Sequence, residues 1–131
     1  MFLPSLITGD LIKKFGHKKI IYTGIFILFI TIFIHFNYET YYGFMIGLIL
    51  LGIGWNFLFV TGTSLLVISY KKEDKFLAQG LNDFVVFSSQ SIGALSAGIL
   101  LFSTSWKILN LICLPLLILL LIFLVSKKNN Q

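Results

Sequence analysis

Apolar residues run along this chain in long blocks, broken by short polar punctuation rather than by regular alternation. Four blocks stand out: residues 20–36, 43–69, 78–102 and 108–125. A helix that crosses a bilayer needs roughly 17–25 mainly apolar residues. Even the shortest block reaches about 25 Å at a rise of about 1.5 Å per residue. Isolated strands are excluded, because their backbone N–H and C=O groups would lie unpaired in lipid. The pattern predicts an all-α fold, a polytopic transmembrane helix bundle of four spans. Residues 1–131 read as one transmembrane domain, with no soluble domain. Ahead of the first span, residues 1–7 form an apolar stub, read as a short helix remnant too short to cross. Ser126–Gln131 reads as a short, frayed polar tail.

The links between blocks are short, so consecutive spans are expected to run antiparallel and side by side. Tyr38, Tyr41, Tyr42, Tyr70 and Trp106 fall at block ends, where amphipathic rings prefer the headgroup level. The lysines add a direction. Lys13, Lys14, Lys18 and Lys19 precede the first span, Lys71, Lys72 and Lys75 follow the second, and Lys127 and Lys128 follow the fourth. Alternation of four spans puts all nine on one side and leaves only Lys107 on the other. The positive-inside rule then places the Thr8–Lys19 loop and the C-terminus in the cytoplasm, in a multi-pass protein of the cell (inner) membrane. Three or five spans would scatter the lysines over both faces.

Composition agrees. Hydrophobic residues make up 57% of the chain and charged ones 11%, and the mean hydropathy is +0.96. A soluble domain of this size needs far more polar surface. The net charge of +5 does not point to nucleic acid, which requires a basic face on a soluble fold. The lipid bilayer is the partner that the composition implies.

The polar residues within the spans are unevenly shared. The first and fourth blocks are almost wholly apolar. The second carries Asn56, Thr61, Thr63 and Ser64, and the third carries Gln79, Asn82, Asp83, Ser88, Ser89, Gln90, Ser91 and Ser96. An unpaired amide in hydrocarbon costs on the order of several kcal/mol. The expectation is therefore two outer helices, the first and fourth, shielding two inner ones. Asn56 and Gln90 lie near mid-membrane. They line a substrate pathway or pair as interhelical glue worth about 0.6–2 kcal/mol; both readings stand. Asp83 is the one carboxylate inside a span, about 7–8 Å from its cytoplasmic end. It suggests ion coupling, or simply an acid favoured near a helix N-terminus and paired with Lys71, Lys72 or Lys75.

Gly43 and Gly47, Gly93 and Ala97, and Ala94 and Gly98 form small-xxx-small pairs that let helices approach closely. Pro115 is expected to kink the fourth span. His17 and His35 read as separate surface residues, and Cys113 as a small apolar-like side chain. No phosphate loop, nucleophile elbow or metal spacing occurs, so neither an enzyme nor a metal or other cofactor is expected.

One segment has a family pattern. Gly9, Lys14, Gly16 and Lys18, within Gly9–Lys19, resemble the cytoplasmic loop motif of the major facilitator superfamily. Lys13 departs from it, standing where that motif has an acid. The stretches Gly54–Val60, Thr63–Leu66, Ala78–Gln79 and Leu81–Phe84, together with Pro4–Ser5 and Thr8–Gly9, resemble a bacterial subgroup of these carriers. The resemblance implies the end of helix eight and helices nine to twelve of a twelve-helix transporter. It implies cavity or gate roles for Asn56, Thr63 and Gln90, and a place in the gating loop for Lys14, Gly16 and Lys18.

The function expected is a fragment of a secondary transporter that moves a small solute by alternating access and is not competent alone. Its partners would be the missing transporter half or another copy of itself. The alternatives are a small four-span protein that self-assembles and a non-transporting membrane subunit.

Overall fold

A computed structural model describes residues 2–129. Five helices follow one another: α1 (Phe2–Phe15), α2 (His17–Asn37), α3 (Tyr41–Ser69), α4 (Lys75–Ser103) and α5 (Trp106–Asn129), with a 3₁₀ turn at Lys72–Asp74. No strand occurs among the described residues. The helices α2 to α5 are long and apolar enough to cross a membrane.

Each long helix contains its apolar block and extends past it. Thus α2 takes in His17, Lys18 and Lys19, and α4 starts at Lys75. Long basic side chains cover apolar surface while their charged ends reach water, so helix and lipid boundaries need not coincide. The tail is helical through Asn129, contrary to the frayed end expected. Asn130 and Gln131 lie outside the described residues. Pro115 sits inside an unbroken α5.

The loop motif is also largely helical. Phe2–Phe15 forms one helix, and Ile12 on it is buried. The turn into α2 is confined to Gly16, whose φ of 82° is a conformation that costs a residue with Cβ. The Gly16 N–H donates to the Ile12 carbonyl at 2.8 Å, closing α1.

Helices α2 and α3 run antiparallel. His17 at the start of α2 reaches Ser64 near the end of α3, with Nε2 and Oγ 3.1 Å apart. His35 at the end of α2 stacks on Phe44 at the start of α3, ring centroids 5.9 Å apart. The backbones approach at Gly24 and Gly54. A Cβ on Gly24 would lie 3.2 Å from the Gly54 carbonyl oxygen, and one on Gly54 would lie 2.9 Å from Leu28. In lipid, where apolar contact with the solvent is no penalty, such close packing is what holds helices together.

The expected division into inner and outer helices does not hold. α2 is the most buried span, because α1, α3 and α5 all lean on it. α4 has no buried residue. It meets α3 and α5 sparsely, so it does not lie side by side with either sequence neighbour along its length. Short loops fix where helix ends meet, not whether their faces mate. The polar face of α4 finds no complementary face within these residues.

Candidate functional site

The polar side chains fall into three places. The first is the contact of α1 with α3. The Thr8 hydroxyl lies 2.8 Å from Asn56 Oδ1 and donates to the Pro4 carbonyl at 2.7 Å. Both side chains are buried. One hydroxyl proton cannot fully serve two acceptors; turning the Asn56 amide end for end makes its NH₂ the donor to Thr8 and satisfies both. Asn56 is thus tied to another helix, and Thr8 is the partner that sequence reasoning missed. Its signal was faint: a lone threonine between Ile7 and Gly9, just after the apolar stub.

The second place is the end of the bundle near the α2–α3 link. His35 is buried there, not at the surface as expected. Gly47 makes the slot: a Cβ there would collide with the imidazole. Trp106 of α5 meets His35 and Phe44 edge-on, both at 5.4 Å between centroids. The knot joins the ends of three helices. The pair Gly43 and Gly47 therefore admits side chains (Gly43 faces Tyr38), whereas the backbone crossing belongs to Gly24 and Gly54. Below the knot a cleft of about 340 Å³ opens between α2, α3 and α5, lined by Thr31, His35, Trp55, Trp106 and Asn110 among others. None of the pathway or coupling candidates Asn56, Thr63, Gln90 and Asp83 lines it. His17, also expected at the surface, is half-buried against Ser64.

The third place is α4. Asp83 and Gln90 are exposed on it. The Asn82 amide donates to Asp83 at 3.3 Å, and no described lysine pairs with that carboxylate. The small pairs Gly93–Ala97 and Ala94–Gly98 face nothing: neither glycine has an atom within 4 Å of where its Cβ would be. Near the start of α4, the Gln79 amide donates to the Tyr70 hydroxyl at 3.1 Å.

Thr63 is half-buried on α3, and its hydroxyl donates back to the Phe59 and Val60 carbonyls of its own helix. Hence Asn56, Thr63 and Gln90 make no hydrogen bond to one another. Gly9, Lys14 and Lys18 are exposed at the end of α1 and the start of α2, and Lys13 pairs with Asp10 at 3.6 Å on the same surface. Among the described residues, no three His, Cys, Asp or Glu gather as metal ligands.

Long apolar helices joined by tight links, with amides and hydroxyls held between helices or along one face, are the construction of membrane-embedded transport proteins. The chain belongs to the Major Facilitator Superfamily, whose model matches residues 1–130. It is similar to the riboflavin transporter RfnT of Brucella anthropi, with 35% identity over 136 aligned residues, 100% of this chain and 33% of that protein. It is also similar to two uncharacterized transporters of the family from Bacillus subtilis, YdeG and YddS. YdeG shares 33% identity over 86% of this chain and 26% of its own length; YddS shares 32% over 85% and 26%. The chain thus spans 26–33% of the length of the curated relatives it matches. No solved structure matches it.

Proposed function

We propose that these residues are the C-terminal part of a secondary carrier that moves a small organic solute by alternating access, and that they do not transport alone. The observation that carries this reading is α4. It has the length and apolarity of a span, yet Asp83, Ser89 and Gln90 are all exposed on it. Lipid offers such groups no hydrogen bonds, so they require further helices or a water-filled path. Helices supplied by the rest of a longer chain, or by a separate one, fill that need.

In the assembled carrier, Gln90, Asn56 and Thr63 border the solute path, and Asp83 is the candidate for ion coupling. Gly9, Lys14, Gly16 and Lys18 form part of the gating segment on the lysine-rich side, which is cytoplasmic by the positive-inside rule. The 35% identity to a riboflavin transporter makes riboflavin the first solute to assay.

The test replaces the matching third of the Brucella anthropi transporter with this chain and follows riboflavin uptake in cells that depend on it. Uptake by the chimera, and none by the chain alone, supports the proposal. Uptake by the chain alone favours a self-assembling four-span carrier. A chimera that inserts at normal levels yet takes up nothing contradicts the reading.

A further inference from the structure

The groove between α2 and α5, of about 660 Å³, is lined by Phe29, Phe33, Phe36 and Asn37 of α2 and by Leu111 and Leu114 of α5, among others. We propose that it seats one acyl chain of a phospholipid whose headgroup carries a phosphate and a primary ammonium, held across the Lys107–Glu39 pair. The inference rests on α2 and α5 crossing the bilayer and is independent of which solute, if any, the chain helps to carry.

Depth argues for an acyl chain. Phe29 to Asn37 covers about 12 Å of helix, most of one leaflet of a hydrocarbon core about 30 Å thick. The walls are aromatic and aliphatic, and Asn37 supplies the polar group at the mouth. Phe33 and Phe36 stand exposed there, so the groove presents rings to whatever fills it.

Charge argues for the headgroup. Lys107 Nζ sits 5.9 Å from the centroid of the Phe36 ring, directly at the mouth. Glu39 Oε1 lies 3.6 Å from the same Nζ. The two side chains keep 49% and 53% of their surface exposed, so each has hydrogen-bonding capacity left over. A cation and an anion side by side complement a zwitterion. Lys107 donates to the phosphate, and the carboxylate of Glu39 accepts from the N–H groups of the ammonium. A quaternary choline has no N–H to donate, and an anionic glycerol headgroup brings its phosphate with no cation for Glu39. The site therefore distinguishes phosphatidylethanolamine from both. Lys107 is also the one lysine at this end of the bundle, so the pair is the local charge pattern rather than part of a diffuse basic surface.

Native mass spectrometry of the full chain in detergent tests this, with equimolar phosphatidylethanolamine, phosphatidylcholine and phosphatidylglycerol of identical acyl chains. Retention of the ethanolamine lipid at least threefold above each of the others is expected. Glu39→Gln should bring it down to the level of the choline lipid, Lys107→Gln should lower all three, and Leu111→Trp, which fills the groove, should do the same with helicity unchanged. Equal retention of the three lipids by the unmodified chain overturns the proposal. So does an ethanolamine preference that survives Glu39→Gln, or binding indifferent to Leu111→Trp.

Discussion

The pair α2–α3 and the helix α4 are made of similar material, long apolar runs punctuated by glycine and small polar residues. In the pair, several such residues have a counterpart: Gly24 faces Gly54, Gly47 receives His35, and Ser64 meets His17. On α4 the same residue types face nothing. Glycines and hydroxyls thus do not mark a buried helix by themselves. In the pair they line a face that meets a neighbour; on α4, in the reading proposed above, that neighbour comes only with the assembled carrier.

The largest expected effect comes from filling the crossing. Gly54→Leu forces side-chain atoms into Leu28 and the Gly24 carbonyl and should cost roughly 1–3 kcal/mol or more, read as a lower unfolding midpoint in mixed detergent. Gly98→Leu on α4 should leave that midpoint unchanged in this chain and impair function only in the assembled carrier. Equal losses from the two would erase the contrast.

A smaller loss is expected from Gly16→Ala. Its backbone at φ 82° is strained for any residue with Cβ, by about 1–3 kcal/mol, and the register of α1 against α2 should loosen. Protease sensitivity between Phe15 and Lys18 measures this. A variant as resistant as the parent would show that the turn is not held by the glycine.

Next comes Thr8→Val, which keeps the shape and removes the hydroxyl. It removes the bond between Thr8 and Asn56 and should cost about 1 kcal/mol; the double variant with Asn56→Leu should lose less than the sum. Strict additivity would mean the two side chains do not act together. The smallest effect belongs to Glu39→Gln. The pair with Lys107 is half exposed, and such pairs contribute about 0–1 kcal/mol. Its unfolding midpoint should barely move, so any change in lipid preference reports recognition and not folding.

Much of this was legible in the residues. Block length set the four spans, and the family pattern of residues 9–18 agrees with the match along the chain. The spans' mutual arrangement was not legible. Hydropathy says that a helix enters lipid, but burial within protein depends on which face meets which, and that is decided by pairs distant in sequence. Asn56 and Thr8 are 48 positions apart. His35 is misread for the same reason: near a span end it looks solvent-facing until Gly47, on the next helix, leaves room for its ring. The inner role expected for α4 came from its polarity, which is real, but no residue of α4 is buried.

The central claim, that the polar face of α4 awaits other helices, is tested most directly by a spin label at position 90. Gln90→Cys is made in a Cys113→Ser background, and the label is compared in the chain alone and in the riboflavin-transporter chimera. The account predicts a mobile, oxygen-accessible label in the chain alone, immobilised and several-fold less accessible in the chimera, while a label at Ile32 is immobile in both. Identical spectra from position 90 in the two settings would contradict it.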